Sequence, residues 1–339
     1  MHRAHQLELR QTIAALHESE HPFVPEGGQH LQPSPPQEPG TPTVVSLIGN
    51  TPLVPLKRVT GALAPEVALH VKLEGLNPGG SVKDRPALLI VRRALCRGNL
   101  ARGRTLLDAT SGNTGIAYAM LGAALGFPVQ LMLPADVSLE RVQILRAYGA
   151  QLVFTDPANR TEGARQAAQR LAHRQPARFF YADQYNNPAN PLAHATSTGP
   201  EIWAQTGGRI THFVAGLGTG GTMTGVGAYL RARNHDVQLV GVQPDRPRHG
   251  ISGLKHLKTA DLPGTYDPSL VDLIQAISTE EARDVARRLA RNEGLFVGVS
   301  SGAAVAAALR VGRTLTRGLL VTLLPDGGLK YTRDPFWAE

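Results

Sequence analysis

Lys83 is the residue of this chain best placed to react. It closes the run Asn77-Pro-Gly-Gly-Ser-Val-Lys83-Asp-Arg, in which a Gly-rich turn leads into a helical pattern. Free N–H groups at a helix start carry a positive potential that disfavours an ammonium and favours the neutral, nucleophilic amine. Such an amine forms Schiff bases. An isolated helix lysine is ordinarily just solvated, so the argument rests on the motifs that accompany this one. Thr110-Ser111-Gly112-Asn113-Thr114-Gly115 gathers three hydroxyls, an amide and several backbone N–H groups at a helix start, which is the equipment for holding a carboxylate. Gly216-Leu-Gly218-Thr219-Gly220-Gly221-Thr222 offers backbone N–H groups stripped of side-chain bulk, suited to a phosphate. The same letters satisfy G-x-G-x-x-G and raise a second reading, a dinucleotide-dependent oxidoreductase. That fingerprint needs an acidic residue at the end of the next strand. Here Asp236 precedes the strand Val237 to Val242 and Asp245 lies beyond it, so the phosphate reading survives and the nicotinamide reading weakens. Gly298-Val-Ser300-Ser301-Gly302, taken alone, reads as a helix cap.

The elements that must position these motifs follow from periodicity. Apolar strand-like runs at Thr105-Leu-Leu, Val129 to Leu133, Gln151 to Phe154, His212 to Ala215, Gln238 to Val242, Leu295-Phe-Val and Leu319 to Leu323 alternate with helical patterns. The helices are expected near 116–125, Ser138 to Tyr148, Glu162 to His173, Met223 to Arg233 and Thr279 to Asn292, with an Ala-rich one after Gly302. This alternation predicts an α/β architecture.

Taken together, the motifs resemble the cysteine synthase and cystathionine β-synthase family of fold-type II pyridoxal-phosphate enzymes. The resemblance also takes in Ile48-Gly-Asn-Thr-Pro-Leu53, Ser138-Leu-Glu-Arg, Ala147-Tyr-Gly-Ala, Asn187-Pro-Ala-Asn-Pro191 and Thr198-Gly-Pro-Glu-Ile202, in family order from about residue 43 onward. It implies a tryptophan synthase β-like fold of two open twisted α/β domains, with pyridoxal 5'-phosphate in the cleft between them held by Lys83 as an internal aldimine. Asn113 would meet the phenolic oxygen of the cofactor, and Gly218, Thr219, Gly220, Gly221 and Thr222 its phosphate. Ser300, or alternatively Ser301, would face the ring nitrogen. Thr110, Ser111, Thr114 and Gln184 would grip the α-carboxylate of the substrate. A hydroxyl opposite the ring nitrogen makes the cofactor a moderated electron sink, biased toward β-elimination and replacement. The activity implied is cysteine synthesis from O-acetylserine and sulfide through an aminoacrylate intermediate. O-phosphoserine is a rival substrate, because Asp245-Arg246-Pro-Arg248-His249 would place two guanidiniums, Arg246 and Arg248, at the rim. Serine with homocysteine is a third choice. A catalytically idle regulatory relative that keeps the cofactor is a further reading. Asp108-Ala-Thr110 departs from the Glu-Pro-Thr more usual in the family.

By the same resemblance an extension and Pro/Gly-rich linker occupy 1–42, a first domain 43–187 with about 55–76 crossing to the other, and a second domain 188–335. Within the extension, 4–19 reads as a helix and 21–42 as a linker or draped arm, either a dimer contact or a tail. A homodimer is expected. The 339 residues with 42% hydrophobic content suit a two-domain globular enzyme. The formal charge of +8 comes from arginines scattered along helices, with no aromatic-interleaved basic run, so no nucleic-acid partner is expected. Lysine occurs only at Lys57, Lys72, Lys83, Lys255, Lys258 and Lys330. Cys96 is the sole cysteine and is expected to be packed within a helix, and no metal spacing is present. His194, His249 and His256 read as structural or rim residues. No apolar run approaches membrane-span length and no signal core is visible, which makes the cytoplasm the expected compartment.

Overall fold

The computed structural model describes residues 43–338 apart from Arg102 and Ser111, so the expected helix and linker of 1–42 lie outside the described residues. Two sheets organise the chain. The larger has six strands in the order β1 (Leu53–Pro55), β2 (Glu66–Leu73), β10 (Arg317–Leu324), β7 (His212–Gly216), β8 (Gln238–Pro244) and β9 (Leu273–Ile277). All its neighbours are parallel except β1 and β2. The smaller has four parallel strands in the order β5 (Gln151–Thr155), β4 (Val129–Pro134), β3 (Thr105–Ala109) and β6 (Phe179–Tyr181). Parallel strands covered on both faces need continuous apolar sequence. β4 shows it, with all of Val-Gln-Leu-Met-Leu-Pro buried.

The helices are α1 (Asp84–Cys96), α2 (Asn113–Leu125), α3 (Leu139–Ala147), α4 (Arg160–Arg174), α5 (Ala189–Ala193), α6 (Gly199–Gln205), α7 (Gly221–Arg233), α8 (Thr279–Glu293) and α9 (Val299–Gly312). Each arises from a local signal. α8 buries Ala282, Val285, Ala286 and Leu289, a helical stripe, and starts at Ser278, whose hydroxyl accepts from the Glu281 N–H at 3.1 Å. α9 is Ala-rich and buried nearly throughout, which suits it to the layer between α8 and β10.

The predicted alternation of strands and helices is present, with one correction. Leu295-Phe-Val forms no strand; Val297 makes a single bridge to Gly327 before the chain enters α9. A second correction concerns Cys96, which is exposed at the end of α1 rather than packed.

The elements near the site are tied by a buried ion cluster. Glu74 Oε2 accepts from Arg85 Nε at 2.7 Å and from Asn77 Nδ2 at 2.9 Å. Its Oε1 accepts from Thr51 Oγ1 at 2.7 Å and Arg85 Nη2 at 2.8 Å. Arg85 reaches Glu201 at 2.6 Å, and Glu201 also pairs with Lys72 at 2.7 Å. Two cations and two anions thus balance, as burial of charge requires. Burial works against the charge of Glu201, yet the bonds from Arg85 and Lys72 hold its pKa at about 2.

Candidate active site

Several chain segments converge on one cleft of about 880 Å³. Lys83 stands at the N-terminal end of α1, where the Asn77 to Val82 turn meets the helix. Asn77 holds that turn by accepting the Gly49 N–H at 2.9 Å while its amide bonds to Glu74. The Lys83 side chain is half-buried and lines the cleft. Burial lowers its pKa, and the charges of Asp326 and Glu74 oppose that shift only in part. The direction matches the expectation from sequence, but desolvation is its main cause.

The loop between β3 and α2 brings Thr110, Asn113 and Thr114 to the cleft wall. Ser111 lies outside the described residues. The Thr110 hydroxyl accepts the Gly112 N–H at 3.2 Å, and the Thr114 hydroxyl donates to Gln184 Oε1 at 2.6 Å. Gln184 is buried and donates to the Ala109 carbonyl at 3.3 Å. It leaves a turn at Asp183, whose left-handed φ of 46° suits a residue that tolerates that region. Beneath this loop Asp108 is fully enclosed. Burial pushes its carboxyl up to about 7 although the Ala109 N–H bonds it at 2.8 Å.

Gly218, Thr219, Gly220 and Thr222 form the opposite wall, and Gly221 begins α7 just behind them. The first N–H groups of α7 have no acceptor within their helix. Gly218 is required by close approach, since a Cβ there would sit 2.2 Å from the Gly253 carbonyl oxygen. Thr219 accepts from Asn190 Nδ2 at 3.1 Å, and Thr222 faces His194 Nε2 at 3.2 Å. Burial holds His194 well below its usual pKa, so this structural histidine is neutral and fixes Thr222.

Ser300 lines the cleft at the start of α9, whereas Ser301 is fully buried behind it. His249 and His256 lie on the cleft wall. The two rim arginines separate. Arg248 lines the cleft, but Arg246 points elsewhere and pairs with Asp245 at 3.1 Å and Glu280 at 3.2 Å. The expected pair of guanidiniums for a phosphate leaving group is therefore not brought together in the cleft.

Sequence reasoning missed three residues that follow β10. Asp326 and Tyr331 line the cleft, and Lys330 stands beside them. Asn113 Nδ2 donates to Asp326 Oδ2 at 2.8 Å, the Tyr331 hydroxyl donates to the same oxygen, and Lys330 Nζ donates to Asn113 Oδ1 at 2.6 Å. Pro325-Asp-Gly-Gly carries only a turn signal, which is why it was silent. Arg141 of α3 also lines the cleft and stacks over the Tyr331 ring at 5.4 Å.

Comparison with known proteins gives a consistent set. Residues 44–326 match the family described as pyridoxal-phosphate dependent enzyme. A cysteine synthase of Aquifex aeolicus is 50% identical over 302 residues, covering 88% of this chain and 92% of that one. Cysteine synthase B of Escherichia coli is 47% identical over 297 residues, covering 88% of this chain and 96% of its own. Among solved structures, a cysteine synthase from Entamoeba histolytica superposes with a TM-score of 0.84 at 32% identity, over 92% of this chain and 95% of that one.

Proposed function

This chain belongs to the pyridoxal-phosphate-dependent enzyme family, and from that premise we propose that it makes L-cysteine from O-acetylserine and sulfide by replacing the substituent on the β-carbon. The observation that carries the reading is the shared cleft. A lysine whose amine burial drives toward neutrality opens into the same space as a glycine-lined helix start and a hydroxyl-rich carboxylate loop.

The residues present fit the cofactor. Its dianionic phosphate suits the first-turn N–H groups of α7, with Gly218, Thr219, Gly220, Gly221 and Thr222 around it. The cleft volume is in the range that holds a cofactor with a small substrate. Among the described residues no group hydrogen-bonds or ion-pairs with Lys83 Nζ, as an attachment point requires.

When bound, pyridoxal phosphate supplies an electron-withdrawing ring that lets an amino acid lose its α-proton and then its β-substituent. The chain's own groups do the rest. Lys83 anchors the cofactor, and its amine, once displaced by substrate, takes the α-proton and later returns it. Thr110, Ser111, Thr114 and Gln184 hold the substrate carboxylate, which fixes the Cα–H bond relative to Lys83. Asn113 meets the phenolic oxygen. Ser300, the serine on the cleft side, would meet the ring nitrogen as a neutral partner and would leave that nitrogen largely unprotonated. Of the two rim arginines Arg248 lines the cleft, with Arg141, Arg165 and Lys255 also on its wall to meet anionic substrates.

The reading extends to a homodimer in the cytoplasm, built from a first domain over 43–187 and a second over 188–335. Among the described residues no helix is long and apolar enough to cross a membrane.

The test is the visible spectrum of the purified protein with pyridoxal phosphate. A yellow band absent from Lys83→Ala is expected, as is a change on adding O-acetylserine that sulfide reverses with release of cysteine. A wild-type protein that remains colourless with excess cofactor would falsify the proposal.

A further inference from the structure

Asp326 occupies an unusual position. Its backbone bridges Ser81, two residues before Lys83, and its carbonyl accepts the Gly298 N–H at 3.3 Å, two residues before Ser300. One residue after β10 therefore stitches together the loops that present the lysine and the serine. Its side chain is 1% exposed and reaches toward the third loop, that of Asn113. The room for the carboxylate exists because residue 298 is glycine; a Cβ there would lie 2.3 Å from Asp326 Oδ1. That oxygen is buried without a hydrogen-bond partner, while Oδ2 accepts from both Asn113 Nδ2 and the Tyr331 hydroxyl.

The Asn113 amide is thereby gripped at both ends. Lys330 Nζ, itself tied to the Gly80 carbonyl at 3.0 Å, can only donate, so it demands the amide oxygen. The Asp326 carboxylate offers Oδ2 as an acceptor and so demands the amide nitrogen. A flipped amide would set NH₂ against a donor and C=O against an acceptor, two repulsive contacts in a half-buried place. The amide orientation is thus dictated by the neighbours, and one of its two hydrogens is left for the cleft.

We propose that Asp326 and Lys330 are positioning residues that act through Asn113, locking its amide so that it presents a donor, never an acceptor, to the phenolic oxygen of the cofactor. This rests on the function proposed above. A donor there stabilises negative charge on that oxygen. Loss of the lock lets the amide turn and favours a proton on the oxygen instead. The two forms of bound pyridoxal phosphate absorb in the visible and near-ultraviolet, so their ratio reads the amide directly.

The experiment compares that ratio at one pH in full-length holoenzyme for wild type, Lys330→Met, Lys330→Arg, Asp326→Ala and Asn113→Ala, each at full cofactor occupancy. Lys330→Met and Asp326→Ala are expected to lower the ratio of the visible to the near-ultraviolet form about threefold or more, the shift that one net hydrogen bond commands. Lys330→Arg, which still donates, keeps the wild-type ratio. In an Asn113→Ala background, adding Lys330→Met changes nothing further, because the amide through which it acts is gone. An unchanged ratio in both Lys330→Met and Asp326→Ala overturns the proposal, as does a Lys330→Met effect that persists without Asn113. A wild-type protein with no cofactor band defeats the functional reading itself, a result distinct from either of these.

Discussion

Replacing Gly218 with Ala tests whether the glycine wall is a phosphate site or merely a tight turn. The added Cβ would stand 2.2 Å from the Gly253 carbonyl oxygen, so one side must retreat by about 1 Å to reach ordinary contact. Gly253 cannot yield freely, since the nearby Lys255 N–H is bonded to the Leu217 carbonyl at 2.8 Å. The Leu217 N–H is in turn bonded to Val242 of β8 at 2.8 Å. Movement therefore falls on the loop that faces the cleft. Losing one or two hydrogen bonds to a charged phosphate, at about 1.5–3 kcal/mol each, amounts to roughly 3 kcal/mol. That is a weakening of cofactor affinity by about 100-fold. The assay is titration of cofactor-free protein with pyridoxal phosphate, followed by absorbance, with circular dichroism to show that the fold persists. Gly61→Ala is the control, because its Cβ would approach nothing nearer than 4.0 Å. If Gly218→Ala binds the cofactor within about threefold of wild type while folded, the loop does not hold the phosphate.

Two other outcomes follow from buried charge. Glu74→Gln puts an amide NH₂ against donors from Arg85 or Asn77 and leaves two buried cations facing one anion. Stability should fall by about 3–5 kcal/mol in urea denaturation, and a loss under about 1 kcal/mol would show the cluster to be dispensable. Asp108 titrates at about 7 in the folded protein against about 3.9 when unfolded. Because the folded value is the higher one, its contribution is full below about pH 4 and is lost as pH climbs through 7, on the order of 4 kcal/mol in all. Asp108→Asn should flatten that decline in stability between pH 4 and 7. A pH profile parallel to wild type would mean that Asp108 stays ionised in the fold.

Much of the site was legible because its chemistry is written in short contiguous motifs. Lys83, the Thr110 to Thr114 loop and the Gly218 to Thr222 loop each sit where a strand or turn enters a helix, and local sequence marks such junctions well. What stayed hidden depends on contacts between distant segments. β2 alternates buried Val67, Leu69 and Val71, but then buries Lys72 as well, because Glu201 arrives from α6 to pair with it. Thr51, Arg85 and Glu201 belong to three of the motifs that carried the family resemblance. The structure shows them meeting in the ion cluster rather than in the cleft. Asp326 was silent because a turn signature describes backbone shape and not what a carboxylate will meet. Leu295-Phe-Val has a strand's composition, but with a single bridging residue it has no ladder to join.

The pairing of β2 with β10 reaches from Glu66–Arg317 to Leu73–Leu324, so two neighbours in the sheet lie about 250 residues apart along the chain. The four-stranded sheet, by contrast, closes within Thr105 to Tyr181. As the chain leaves the ribosome, the small sheet can assemble while the large one still lacks the strand at its middle. Ser300 and Asp326 emerge more than 200 residues after Lys83. A nascent chain therefore carries the reactive lysine without its surroundings until the segment through Asp326 has joined the fold.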